Sequence, residues 1–180
     1  LRRSKMQKRT KLVSFVALAI VIICLGILAI PGFAKLTSNT ATFSGYETIF
    51  HYANRPDIKL DGNAIKAVIP GSKAMGIDIA ALVFIAFALV SYAFSGKSTV
   101  LPVVGGAFSV LASIIFFSNA LWIKTAYNKS NLITLSWSTY VVGGLLIVAG
   151  IATLFLGIKD LIAEKNTLSS KQGYSYLKNK

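Results

Sequence analysis

The sequence predicts an all-α membrane protein, a bundle of four transmembrane helices that carries a small β-containing extracellular loop. Of its 180 residues, 54% are hydrophobic and only 14% are charged, and the mean hydropathy is +0.66. Soluble domains have about 25% charged residues, so neither a water-soluble globule nor a disordered chain is expected. Four long apolar runs indicate the membrane helices, and an uneven distribution of basic residues indicates their orientation.

Each of the four apolar runs is long enough to cross a bilayer as a helix. They cover residues 12–30, 76–95, 99–122 and 138–158, and their only charged residue, Asp78, lies near the start of the second run. About 20 apolar residues span the hydrocarbon core, and a backbone in lipid must satisfy its own hydrogen bonds, which favours helices. A soluble bundle would need polar helix faces, which these runs lack.

The first run also has the arrangement of a cleaved signal peptide, because the basic segment 1–11 precedes it. Its apolar part is longer than the 7–15 residues that are usual in such a peptide. We therefore interpret residues 12–30 as a retained membrane helix.

The basic residues predict that both termini lie in the cytoplasm. Twelve Lys and Arg residues fall in the tails, 1–11 and 159–180, and in the turn 96–98, against seven in the outer loops 31–75 and 123–137. Cytoplasmic segments carry the excess of basic residues, and such residues attract anionic lipids of the inner leaflet. We expect a multi-pass protein of the plasma membrane that contacts anionic headgroups on its cytoplasmic side.

The net charge of +13 also raises the question of nucleic-acid binding. A nucleic-acid surface needs basic residues interleaved with aromatic ones on one folded face. The basic segment 1–11 contains no aromatic residue, so no nucleic-acid partner is expected.

The first outer loop has the patterns of β-strands. The Thr-rich segment 37–43 predicts one strand. Residues 58–60 and 64–69 flank Asp61-Gly62-Asn63, and Asp-Gly between alternating apolar residues is typical of a hairpin turn. The sequence therefore predicts a hairpin in the second half of this loop.

Residues 43–52 combine four aromatic residues with a glutamate and the only histidine of the chain. We expect an amphipathic turn resting on the membrane or on the helix ends, without a rigid helix, because Gly45 and the density of aromatic rings disfavour one. The alternative is a partner-binding patch, since aromatic residues are enriched at interfaces. The candidate partner-binding residues are Phe43, Tyr46, Phe50 and Tyr52.

Aromatic residues also flank the second outer loop. Their spacing predicts an interfacial belt at headgroup level rather than a binding site. These residues are Trp122, Tyr127, Trp137 and Tyr140.

Small residues repeat every four positions along the third apolar run and every seven positions along the fourth. Small residues let helix backbones approach closely in membranes. We expect packing within the bundle, and the alternative is a groove that seats a partner helix or a second copy. The residues of the two repeats are Gly105, Ser109, Ser113, Gly143, Gly150 and Gly157.

The sequence predicts no metal site, no cofactor and no enzyme. One cysteine and one histidine exclude a disulfide framework and a multi-histidine metal site. Asp57 and Asp61 lack the spacing of a calcium-binding EF-hand loop. An enzyme on the outer face that uses Glu47 and His51, four residues apart, is the weakest of three functional hypotheses.

The order of these segments resembles the claudin and related tetraspan architecture. The similarity lies in four helices, cytoplasmic termini, a long first outer loop with strands and a shorter second one. The family carries a Trp-Gly-Leu-Trp signature and a cysteine pair in its first outer loop, whereas residues 31–75 contain no Trp and no Cys. The resemblance implies an adhesion, scaffold or accessory role, and no functional residue is carried over from the family.

We therefore expect a small integral membrane protein that acts by protein–protein interaction, as an accessory or scaffold subunit. Its partner would be another membrane protein or a second copy. The alternative is an oligomeric channel or small-solute transporter with a polar face through Ser109, Ser113 and Asn119. Coupled carriers place ionisable residues near the bilayer centre, whereas Asp78 is expected at the outer edge, capping its helix or facing headgroups.

Overall fold

A computed structural model describes most of the chain. The described residues are 2–36, 42–50, 55–60, 63–65, 72–126 and 133–178. They form, in chain order, α1 (Arg2–Ala29), β1 (Ala34–Leu36), β2 (Thr42–Phe43), α2 (Gly45–Ile49), β3 (Arg55–Leu60), β4 (Asn63–Ile65), α3 (Ser72–Ala93), α4 (Leu101–Ala126), β5 (Ile133–Leu135) and α5 (Trp137–Lys178).

The four long helices confirm the predicted fold class. Helices α1, α3, α4 and α5 each contain a segment long and apolar enough to cross a membrane. The chain is therefore an all-α, multi-pass membrane protein with a four-helix bundle and a small β-sheet. The four spanning segments are Lys8–Ala29, Gly76–Ala93, Leu101–Leu121 and Trp137–Ser169.

The helices pack around a four-sided bundle. Helix α4 packs along both α3 and α5, and α1 closes the ring against α5 and α3, so that α1 and α4 lie at opposite corners. We call the end that carries the β-strands and α2 the loop end. The end that carries residues 8–11, 94–100 and 159–165 is called the tail end.

Large apolar side chains are exposed on the outer faces of the bundle. Phe15 on α1 is 69% exposed, Leu121 on α4 is 75% exposed, and Phe87 on α3 and Val148 on α5 are also exposed. Water would make this arrangement costly, whereas lipid tails solvate such side chains. The interior instead holds small and hydroxyl-bearing residues, among them Ser14 and Thr139, which are fully buried.

The backbones of α4 and α5 touch where Gly106 meets Gly150. A Cβ atom on Gly106 would lie 2.8 Å from the Gly150 carbonyl oxygen, and one on Gly150 would lie 2.9 Å from the Gly106 carbonyl oxygen. Only glycine at both positions permits this approach. Gly150 belongs to the predicted seven-residue repeat, whereas Gly106 lies outside both predicted repeats.

The other glycines of the two repeats also face neighbouring helices of the same chain. An added Cβ on Gly105 would meet the Tyr92 ring at 2.6 Å, and one on Gly157 would meet Val103 at 2.7 Å. Gly143 lies against the Phe117 ring, with a corresponding distance of 3.2 Å.

Interhelical hydrogen bonds use the buried hydroxyl groups. Ser113 on α4 donates to the Gly143 carbonyl oxygen of α5 at 2.7 Å. The Tyr92 hydroxyl of α3 lies 3.0 Å from both Ser109 on α4 and Thr153 on α5. Because Thr153 donates its only hydroxyl proton to carbonyl oxygens of its own helix, Tyr92 donates to Thr153 and accepts from Ser109. One tyrosine thereby links three helices.

The basic segments at both ends of the chain continue the adjoining helices. Helix α1 begins at Arg2 and α5 ends at Lys178, so residues 2–11 and 159–178 are helical. At 1.5 Å per residue, the 42 residues of α5 extend for about 63 Å, roughly twice the hydrocarbon thickness of a bilayer. The last part of α5 therefore extends beyond the membrane-spanning bundle.

A three-stranded antiparallel sheet in the order β2-β1-β5 joins the two longer loops. Ala34 in the central strand pairs with Phe43 on one side and Leu135 on the other. Strand β2 falls at the end of the predicted strand 37–43, whose other residues lie outside the described part of the chain. Strand β5 was not predicted.

Strands β3 and β4 confirm the predicted hairpin. They pair antiparallel, with Leu60 opposite Asn63 and a register shift between Arg55 and Lys59. Asn63, which was predicted as part of the turn, already belongs to β4, and Asp61 and Gly62 lie outside the described residues. The predicted second strand, 64–69, extends past Ile65 into residues that the structure does not describe.

The Gly106–Gly150 contact predicts that one added methyl group will weaken the bundle. We expect Gly150→Ala to lower the free energy of unfolding by about 1–3 kcal/mol, since its Cβ would meet backbone atoms that cannot move independently. Thermal unfolding of the purified protein in detergent measures the change.

Gly144→Ala on the same helix is the matched control, because its Cβ would have no neighbour within 4 Å. It should leave the protein as stable or raise stability by up to about 1 kcal/mol through helix propensity. Equal destabilisation by both variants would contradict the packing assigned to Gly150.

Candidate partner-binding surface

The loop end is fixed to the bundle through the short link between α1 and β1. The backbone N–H groups of Gly32 and Phe33 both donate to the Phe43 carbonyl oxygen, at 3.0 and 2.8 Å. The Phe33 carbonyl oxygen accepts from the Ser136 N–H at 2.9 Å and from the Thr139 hydroxyl at 2.9 Å. The first turn of α5 thus holds both the link and the edge of the sheet.

Gly32 allows an indole ring to pack directly on this link. Its φ of 135° lies in a region that favours glycine, and an added Cβ would lie 2.6 Å from Nε1 of Trp137. Trp137 is nevertheless about half exposed, as is Tyr140 one turn further along α5. These are two of the four residues of the predicted aromatic belt, and the side chains of Trp122 and Tyr127 lie outside the described part of the structure.

Residues 45–49 form the one-turn helix α2, which corrects the expectation that no rigid helix forms here. Ser44 accepts a hydrogen bond from the Glu47 N–H at 3.1 Å, and the Glu47 carboxylate accepts one from the Ser44 N–H at 2.8 Å. This pair is a capping box. Its Ser-x-x-Glu signature was present in the sequence and would have predicted the helix start.

Gly45 does not break α2. It allows the helix to pack closely against Leu28. A Cβ atom there would lie 2.6 Å from the Leu28 side chain and 3.1 Å from the Leu28 carbonyl oxygen. Helix α2 therefore rests directly on the last turn of α1.

The four candidate partner-binding residues separate into different environments. Phe43 is 2% exposed and belongs to the hydrophobic core, so it cannot contact a partner in this structure and that assignment is corrected. Tyr46 is half-buried and donates its hydroxyl proton to the Leu25 carbonyl oxygen at 3.1 Å. Phe50 is 50% exposed and stacks on Tyr46, with ring centroids 6.4 Å apart. Tyr52 lies outside the described residues.

Glu47 has a structural role in the described geometry, because its carboxylate caps its own helix. His51, the other residue of the enzyme hypothesis, lies outside the described residues. Among the residues that the structure describes, no group of three or more His, Cys, Asp or Glu side chains is placed to hold a metal ion.

The glycine and serine residues of the two repeats pack against helices of the same chain, as expected. Gly105 and Gly157 face side chains of neighbouring helices, and Gly150 faces backbone. Ser113 is bonded to the Gly143 carbonyl oxygen. These contacts agree with the predicted packing within the bundle, and at these positions they do not support the alternative of a groove for a partner helix.

Asp78 lies inside the bundle, which corrects the expectation that it caps its helix or faces headgroups. It is 6% exposed, and the equally buried Asn119 of α4 lies beside its carboxyl group. Within the described structure, Asp78 Oδ1 and Asn119 Nδ2 make no hydrogen bond. The pair adds a polar contact between α3 and α4 near the loop end.

Comparison with known proteins finds no family model and no curated protein that matches this chain. The exposed rings at the loop end, on a framework held by hydrogen bonds, are therefore the basis for a functional proposal.

The hydroxyl group of Tyr46 is expected to stabilise the position of α2. Tyr46→Phe removes its bond to the Leu25 carbonyl oxygen and keeps the ring, so the free energy of unfolding should fall by about 1 kcal/mol. Chemical unfolding in detergent at neutral pH measures the loss. An unchanged stability would contradict the role of this hydrogen bond.

The contribution of Tyr46 to stability should depend on pH. Burial raises the pKa of Tyr46 above its ordinary value of 10.0, so the unfolded state ionises first as the pH increases. The contribution of Tyr46 to stability is fully present below pH 10 and is lost as the pH rises through the raised pKa. The stability advantage of the wild type over Tyr46→Phe should therefore narrow above pH 10 in unfolding measurements at several pH values.

Proposed function

We propose that this protein is an accessory or scaffold subunit of the plasma membrane that binds another membrane protein through its loop end. The observation that carries the proposal is the exposure of Phe50, which stacks on Tyr46 in the part of the loop end that backbone hydrogen bonds hold in place. Phe50 and the half-buried Tyr46 define the aromatic surface.

The interior of the bundle supports binding more than transport. Of the polar residues considered for a channel, Ser109 is bonded to Tyr92 and Ser113 to the Gly143 carbonyl oxygen. Asn119 lies beside Asp78. Ser109 and Ser113 therefore act as interhelical contacts, and these two residues do not favour the channel alternative.

The hydrogen bonding in the described part of the loop end supports recognition of a protein partner. A surface that is already ordered loses less conformational entropy on binding. Sheet pairing connects the first long loop to the second, and Thr139 and Tyr46 tie this region to α1 and its following link. Aromatic residues at the centre of interfaces contribute much of the binding free energy.

The proposal includes an orientation with both termini in the cytoplasm. The excess of basic residues at the tail end supports it, and the same arrangement underlies the resemblance to claudin and tetraspan architecture. The aromatic surface would then face outward.

Thiol labelling tests the orientation. Lys35 at the loop end and Lys97 at the tail end are both exposed, while the native Cys24 is fully buried. In intact cells, a membrane-impermeant maleimide should label Lys35→Cys and spare both Lys97→Cys and the wild type. After permeabilisation, Lys97→Cys should also react. Labelling of Lys97→Cys in intact cells would contradict the orientation.

Substitution of Phe50 tests the aromatic surface. We expect Phe50→Ala to reduce co-purification of a membrane-protein partner from native membranes by about tenfold or more, because an aromatic interface residue contributes about 2 kcal/mol or more. Quantitative mass spectrometry of affinity-purified material measures the reduction.

Phe15→Ala is the control, because Phe15 is also exposed, at 69% against 50% for Phe50, but lies in the tail-proximal half of α1, away from the loop end. It should leave the co-purifying proteins unchanged. Identical partners for Phe50→Ala and the wild type would contradict the proposal. If the wild type self-associates and Phe50→Ala does not, the partner is a second copy of the chain.

A further inference from the structure

A second feature, at the tail end, is a cavity of about 310 Å³. It lies between α1, the connection from α3 to α4, and the part of α5 that extends beyond the bundle. The lining residues on which the inference depends are Thr10, Lys11, Lys97, Ser98, Thr99 and Glu164.

The polar groups of this cavity suit an anion. Lys11 and Lys97 line the cavity from two separate elements, and both side chains are exposed. Thr10 and Ser98 line the same space, and Thr10 is only 5% exposed. Ammonium and hydroxyl donors together are the groups that bind phosphate oxygens in proteins.

The start of α4 adds to the positive potential. Its first turn carries no acidic residue, so the positive end of the helix dipole is not neutralised locally. Ser98 accepts a hydrogen bond from the Val100 N–H at 3.3 Å and thereby orders the chain at the cavity wall.

Glu164 is the one carboxylate among the lining residues of this cavity. It accepts a hydrogen bond from the Thr99 hydroxyl at 2.7 Å, which fixes α5 against the connection between α3 and α4. Two lysines against one glutamate leave the lining with a net positive charge.

The position of the cavity matches the headgroup level of a bilayer. Lys11 directly precedes the apolar run of α1, and the connection 94–100 lies between the spanning segments Gly76–Ala93 and Leu101–Leu121. A phospholipid places its phosphate at this boundary between hydrocarbon and water.

We propose that this cavity binds a phosphate group, with Lys11 and Lys97 as its principal ligands. An anionic phospholipid headgroup and a free phosphate ion present the same chemistry to these residues. The site is independent of the aromatic surface and of the orientation, so it would remain if the partner proposal failed.

Thermal unfolding of the purified protein in detergent tests the site. Three probes are added separately: phosphatidylglycerol, a diacylglycerol with the same acyl chains but no phosphate, and inorganic phosphate. Phosphatidylglycerol should raise the melting temperature in a concentration-dependent way, as a ligand of the folded state does, and diacylglycerol should not. A comparable shift with inorganic phosphate would identify the free ion as a ligand of the same site.

Substitutions test which lysines bind the phosphate group. Lys11→Gln and Lys97→Gln should each weaken the apparent affinity for phosphatidylglycerol about tenfold, since each removes a hydrogen bond to a charged group. Lys97→Arg should retain most of the affinity. Lys165→Gln is the matched control, because Lys165 is exposed on α5 at the same end but does not line the cavity.

Melting temperatures without added probe show whether each variant folds like the wild type. An equal shift with diacylglycerol, equal weakening by Lys165→Gln, or no shift with any of the three probes would overturn the proposal.

Discussion

The bundle depends on the close approach of α4 and α5 at Gly106 and Gly150. In lipid no hydrophobic force draws apolar helices together, so association relies on close packing and interhelical hydrogen bonds. At this contact each backbone lies against the other, which allows Thr153 and Ser109 to reach the Tyr92 hydroxyl from two sides. One close contact thereby positions a hydrogen-bonded link among three of the four long helices.

The described part of the loop end is held in place by contacts with the helices of the same bundle. The first turn of α5 supplies hydrogen bonds to the carbonyl groups of Gly32 and Phe33, and β5 immediately precedes that turn. The last turn of α1 supports α2 through Leu25 and Leu28. The strands β1, β2 and β5 are short and make few hydrogen bonds with one another. Their arrangement therefore depends on the positions of the helix ends to which they are connected.

The sequence predicted the features that depend on local composition and length, which are the four helices and the Asp61-Gly62 hairpin. It did not predict β5, because a three-residue strand carries little local signal and forms only by pairing with β1, about a hundred residues away. The capping pair of Ser44 and Glu47 indicates the start of α2. This capping outweighs the low helix propensity of Gly45. The burial of Phe43 depends on tertiary packing and had no local signature.

The two ends of the bundle use their polar groups differently, and this difference limits what each can recognise. At the loop end, Ser44, Glu47 and Thr139 are bonded within the chain, whereas the Phe50 ring is exposed. At the tail end, Lys11 and Lys97 are exposed beside a cavity. Aromatic rings on an ordered framework suit a protein surface, whereas ammonium groups at headgroup level suit phosphate. Because the described interior is largely occupied by packing between helices, recognition is left to these two ends and to the lipid-facing surface.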